Sequence, residues 1–164
     1  MTDRRIMLIG ATGCGKSSLA VVLNRYAEHL SGKEKSTEVS PVPHRQDVWY
    51  SRYTLDVPGG YFENPWMYNH LISLAQNNAS HVLFVVSRSQ RSFAGAPGLA
   101  DVFGCPVSGV ITHSDVQPEN EEFCQKQLRR YGVPEPFFNV SVKKGFGVSA
   151  LIGHLLEAGT VKKD

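Results

Sequence analysis

Cysteine is scarce in this sequence. The three thiols, Cys14, Cys105 and Cys124, are an odd number with neither the spacing of a zinc site nor the density of a disulfide scaffold. That points to reduced thiols in a cytoplasmic protein. Charge of one sign is missing too. The formal net charge is only +2, far from the clustered Lys and Arg of a groove binder, so no nucleic-acid partner is expected. No apolar run is long enough to cross a bilayer, and MTDRRIMLIG holds no secretory h-region, so no membrane partner is expected either. The six histidines, at 29, 44, 70, 81, 113 and 154, show no metal-ligand spacing with cysteines or carboxylates. Internal repeats and low-complexity linkers are absent. What remains is an ordinary composition, 41% hydrophobic and 20% charged over 164 residues. It suits one domain over 1–164 with a single core.

Short apolar runs alternate with helical patterns. RIMLIG (5–10) suits a buried parallel strand, and a helix from Ser17 to about Leu30 follows with Leu19, Val22, Leu23, Tyr26 and Leu30 at helical spacing. Residues 31–47 are polar with two prolines and read as a mobile loop with a short edge strand. VWYSRYTLD (48–56) reads as one strand ending in the turn DVPGG. Pro65 opens a helix whose apolar face is Met67, Leu71, Leu74 and Ala75. HVLFVV (81–86), PVSGVIT (106–112) and PFFNVSV (136–142) are further strands. PENEEFCQKQLRRYG (118–132) is an amphipathic helix with Gly132 as its C-cap, and VSALIGHLLEAG (148–159) a closing one. The alternation predicts a three-layer α/β fold around a mostly parallel sheet.

GATGCGKSS, residues 10–18, sits between the first strand and the first helix. Gly10, Gly15, Lys16 and Ser17 satisfy Gly-x4-Gly-Lys-Ser/Thr, a pattern that chance supplies in about one such chain in 200 at ordinary residue frequencies. In such a loop consecutive backbone N–H groups turn inward as an anion nest at the positive end of the following helix. Gly13 and Gly15 permit the required backbone, Lys16 reaches the β- and γ-phosphates as the catalytic cation, and Ser17 ligates Mg²⁺. Ala11, Thr12, Cys14 and Ser18 complete the expected cradle. Cys14 is a small residue that fits between two glycines, in a field that would lower its pKa.

Three later patches fall in the order a nucleotide site needs. Asp56 of TLDVPG is the expected second acidic group at Mg²⁺, and Gly59 would offer its N–H to a γ-phosphate. Both residues also suit a plain turn. Thr112-His113-Ser114-Asp115 ends PVSGVIT where guanine-binding GTPases carry Asn/Thr-Lys-x-Asp. Asp115 would accept from guanine N1 and N2, unless it is simply a helix-start acid, and His113 replaces the lysine. Ser141-Val142-Lys143 stands where Ser-Ala-Lys supports the base. Thr37 is the expected switch hydroxyl on Mg²⁺, with Ser36 and Ser40 as alternatives.

Together these motifs resemble the EutP/PduV family, small Ras-like P-loop proteins of ethanolamine and propanediol utilization. The similarity runs through RIMLIGATGCGKSSL, LDVPGGYFENPWMYNHLI, GCPVSGVITHSD and SVKKGFGVSALIGHL, leaving 38–52 unmatched. It implies a Ras-like GTPase fold, GTP or GDP with Mg²⁺ (alternatively ATP or ADP), and an accessory role beside microcompartment shell or pathway proteins. Gly60 stands where the family commonly has glutamate and many GTPases a water-orienting glutamine, so slow hydrolysis is expected unless another group orients the water. Glu63-Asn64 belong to the resemblance without an evident role, and Tyr61, Phe62, Trp66 and Tyr68 serve packing or a partner surface. A small-molecule kinase with Arg88 and Arg91 on a lid, or a nucleotide-stabilised docking module, are the competing readings.

Overall fold

A computed structural model describes residues 4–30, 48–90 and 94–157. Its centre is a six-stranded sheet in the order β2-β3-β1-β4-β5-β6. The strands are β1 (Arg5–Ile9), β2 (Trp49–Tyr50), β3 (Thr54–Asp56), β4 (Ala79–Ser87), β5 (Val107–Thr112) and β6 (Phe137–Asn139). All neighbours run parallel except β2 on β3. The helices are α1 (Lys16–Leu30), α2 (Gly59–Glu63), α3 (Tyr68–Asn78), α4 (Glu121–Tyr131) and α5 (Val148–Glu157). None of the described helices is long and apolar enough to cross a membrane.

The period of two along each strand divides the core. On β1, Met7 and Ile9 face one layer and Ile6 and Leu8 the other; on β4, Val82, Phe84 and Val86 oppose Leu83 and Val85. The first layer gathers Phe62, Leu71, Leu128 and Tyr131 from α2, α3 and α4. The second gathers Leu19 and Leu23 of α1 with Leu151 and Leu155 of α5. Runs buried on both faces are what a parallel sheet between helices demands, which is why β1, β4 and β5 read as continuous apolar segments.

Several elements differ from the sequence reading: α2 is an added helix, the strand of 136–142 shortens to Phe137–Asn139, and the helix of 118–132 opens with a 3-10 turn, Pro118–Asn120. Residues 48–56 are a hairpin, with Trp49 opposite Asp56 and Tyr50 opposite Leu55. Ser51 N donates to Thr54 O at 2.9 Å across the reversal. The turn carries neither Gly nor Pro, so its composition is that of a strand. Pro65 opens a 3-10 turn, Pro65–Met67, and α3 begins only at Tyr68. The expected C-cap is observed: Gly132 has φ 91°, and its N–H donates to Arg129 O at 3.0 Å.

Candidate functional site

The carboxyl ends of β3, β1, β4 and β5 lie in that order across the sheet, and the loops leaving them share that end of it, where α/β folds place ligands. The glycine loop leaves β1 and feeds α1 at Lys16. Gly13 and Gly15 have φ of +82° and +92°, values a Cβ resists, so glycine at these two positions is a backbone requirement. Lys16 is 7% exposed. Its ammonium donates to Gly10 O at 2.8 Å and Ala11 O at 3.1 Å, folding the side chain back along its own loop. Ala11 is buried, while Thr12, Gly13 and Ser18 are open to solvent. Cys14 is fully buried in the α1–α5 core. Burial raises its thiol pKa and outweighs the opposing pull of Lys16. The lowering expected from the loop's field is therefore corrected: Sγ lies 3.7 Å from Lys16 Nζ, but its desolvation in the core wins.

Parallel pairing sets Asp56 beside Leu8, just before the loop begins. Asp56 Oδ2 accepts from Ser17 Oγ at 2.7 Å. Burial raises the Asp56 pKa, against the pull of Ser17 and Lys16. A hydroxyl and a carboxylate brought together from elements 39 residues apart form the hard-oxygen donor pair that suits Mg²⁺. Gly59, the first residue of α2, lies so close to the loop that a Cβ would stand 2.3 Å from Thr12 N. Thr37, Ser36 and Ser40 lie outside the described residues.

On the other flank, β4–β5 pairing places Ser87 beside Thr112. Thr112 Oγ1 donates to Cys14 O at 2.6 Å, tying the end of β5 to the glycine loop. His113 adopts φ 55° and bonds Ser87 Oγ through Nδ1. Its ring lies against the loop, Cε1 being 3.5 Å from where a Gly15 Cβ would stand. Asp115 Oδ1 accepts from the buried Ser141 Oγ at 3.0 Å. That bond, aided by Lys143 and Lys144, holds the exposed Asp115 carboxyl below its usual pKa. Val142 is half-buried and Lys143 exposed. Thr112→Val is expected to lower unfolding free energy by about 1–2 kcal/mol in urea titrations, because the Cys14 carbonyl is left without its buried donor.

A family model described as ethanolamine utilisation – propanediol utilisation, PduV-EutP, matches residues 3–157. The chain belongs to the PduV-EutP family. It is 29% identical over 141 residues to the propanediol utilization protein PduV of Citrobacter freundii, covering 85% of each chain. Among solved structures it is similar to the FeoB G-domain of Methanococcus jannaschii, with a TM-score of 0.54 and 18% identity, covering 96% of this chain and 98% of that one. It is also similar to a bacterial selenocysteine-specific elongation factor, EF-Sec, with a TM-score of 0.56 and 19% identity, covering 96% of this chain and 29% of that one. The fold is that of a P-loop GTPase G-domain.

Within this PduV-EutP chain the structure joins Lys16 to Gly10 and Ala11, Ser17 to Asp56, Thr112 to Cys14, Asp115 to Ser141, and sets Gly59 against Thr12. It also shows two features that the sequence reading left without a role. Glu63, at the end of α2, accepts through Oε1 from Thr12 Oγ1 at 2.8 Å. The one sequence-level signal was the four-residue interval from Gly59, one helical turn. At the opposite end of the sheet, Ser108 Oγ lies 2.8 Å from His81 Nε2 and 3.0 Å from His154 Nε2. Arg88 makes no lid. It is 8% exposed, with its guanidinium bonded to Ser114 O at 2.8 Å and Glu121 Oε1 at 2.7 Å. Arg91 lies outside the described residues. Of the four aromatics, Phe62 is buried, Tyr61 and Tyr68 pack partly against the core, and Trp66 is 74% exposed.

Proposed function

We propose that this chain binds GTP and GDP with Mg²⁺, hydrolyses the triphosphate slowly, and serves as an accessory or regulatory protein of propanediol or ethanolamine utilisation, partnering microcompartment shell or pathway proteins on the cytoplasmic side. One observation carries the reading. The glycine loop, the Ser17–Asp56 pair and the Ser141–Asp115 pair all lie at the carboxyl ends of the parallel strands, with Thr112 tying β5 to the loop. In this reading the nest amides and Lys16 hold the phosphates. Ser17 and Asp56 hold the metal, whose charge offsets that of the phosphates. Asp115, kept ionised by Ser141, accepts from guanine N1 and N2, while Val142 N–H and the Lys143 stem support the base and His113 packs between base and loop. Membership of the family and likeness to its Citrobacter freundii relative support the pathway assignment.

A metabolite kinase would call for a movable cation above its acceptor, and the pinned Arg88 weighs against that use. Calorimetric titration with GDP, GTP, ADP and ATP in Mg²⁺ tests the proposal. Guanine nucleotides should bind at least tenfold tighter than adenine nucleotides, and Asp115→Ala should erase that preference, since each lost charged hydrogen bond costs about 1.5–3 kcal/mol. Equal or adenine-favouring affinities in the wild type defeat the guanine assignment. Binding without turnover would leave a nucleotide-stabilised docking module.

A further inference from the structure

Gly60 has no side chain to orient a water, yet the structure sets another carboxylate at the loop's rim. Asp56 is committed to Ser17 on one side of the space above Lys16. On the other side α2 rests on the loop through the Gly59–Thr12 contact, and Glu63, one turn further along, takes the Thr12 hydroxyl at 2.8 Å. A terminal phosphate held by Lys16 and the Ser17–Asp56 pair would sit in the same loop whose Thr12 hydroxyl Glu63 takes.

We propose that Glu63 is the catalytic residue that orients the attacking water, with Thr12 as its positioning residue; this rests on the nucleotide-binding reading above. The Glu63 carboxylate accepts a hydrogen bond from water and then its proton, as the water oxygen bonds the γ-phosphorus. The bond from phosphorus to the β–γ bridging oxygen breaks, and its electron pair leaves on the diphosphate. The proton departs with the inorganic phosphate, restoring the carboxylate. A second consequence needs no chemistry. A carboxylate facing the γ-phosphate repels it, so the triphosphate binds less tightly than the remaining contacts would allow.

The structure also supplies a rescue. A Cβ on Gly60 would meet nothing nearer than Asn64 Nδ2 at 3.7 Å, and Gly60 is absent from the positive-φ positions. A longer side chain at position 60, three residues before Glu63, is therefore accommodated.

Glu63→Gln keeps an oxygen for Thr12 and removes only the charge and the proton acceptor. Single-turnover hydrolysis should fall at least thirtyfold. Affinity for a non-hydrolysable triphosphate analogue should rise about fivefold, and affinity for the diphosphate should stay within twofold. Adding Gly60→Gln to Glu63→Gln should recover at least tenfold in rate. Thr12→Ala should lower the rate, by less than Glu63→Gln does. Thermal melting of each variant without nucleotide checks the fold.

The measurements use whichever purine triphosphate the wild type binds, so an adenine preference defeats the base assignment and leaves this test intact. A Glu63→Gln protein with the wild-type rate and an unchanged analogue-to-diphosphate affinity ratio overturns the proposal. A wild type that binds triphosphate without hydrolysing it overturns it equally. A wild type that binds no purine triphosphate overturns both this and the reading it rests on.

Discussion

Replacing Lys16 with methionine should weaken triphosphate binding at least a hundredfold while leaving the fold in place. The side chain is nearly buried, and its ammonium donates to the carbonyls of Gly10 and Ala11. An ammonium has three donors; here they meet these two carbonyls and, at 3.7 Å, Cys14 Sγ, and a triphosphate in the nest would draw them onto its β- and γ-oxygens. The loop thereby holds the ammonium beside the nest before any ligand arrives. Charge-assisted bonds of this kind contribute about 1.5–3 kcal/mol each. Removing the ammonium from both the β- and the γ-phosphate therefore costs about 3 kcal/mol or more, a factor above one hundred. Methionine is the better test than alanine because its stem fills the same buried channel. Calorimetry with GTP, GDP and Mg²⁺ reads the effect, which should be larger for GTP than for GDP. A Lys16→Met protein binding GTP within fivefold of wild type would remove the glycine loop from the phosphate site.

How much of this arrangement could be read from residues alone depended on whether the cause was local. The glycine loop is legible because its amides, lysine and hydroxyl must fall within eight residues. β4 and β5 are legible because burial on both faces leaves no room for polar interruptions. The hairpin of 48–56 is not, since its reversal at Ser51, Arg52 and Tyr53 carries neither Gly nor Pro and both arms favour β structure. α2 is not, because GGYFE has two poor helix formers and is too short to show a period. Its stability comes from Phe62, buried between Phe84 and Tyr131. The Thr12–Glu63 bond spans 51 residues, and pairings at that range follow from packing that no local pattern encodes. Thr112 likewise donates to the carbonyl of Cys14, 98 residues away.

The pair of histidines at the far end of the sheet leads to the second large effect, which concerns acid stability. His81 is 1% exposed and bonded to Ser108, which also meets His154. Burial, reinforced by His154, lowers the His81 pKa from 6.5 to about 4. The folded state therefore holds a neutral imidazole that the unfolded chain protonates below pH 6.5. Stability from this residue is complete above pH 6.5 and is lost as the pH falls toward 4, below which it changes no further. At about 1.4 kcal/mol per tenfold change in proton affinity, the loss is about 2 kcal/mol at pH 5 and about 3 kcal/mol at pH 4. Asp56 acts with the opposite sign, because its raised carboxyl pKa makes acid more favourable to the fold, so the comparison must isolate one group. His81→Gln does so. Glutamine keeps a donor and an acceptor for Ser108 and cannot titrate. Urea unfolding at pH 7 and pH 5 should show the wild type losing about 2 kcal/mol more than His81→Gln between the two values. Equal losses in both proteins would mean that His81 is protonated in the fold as readily as outside it.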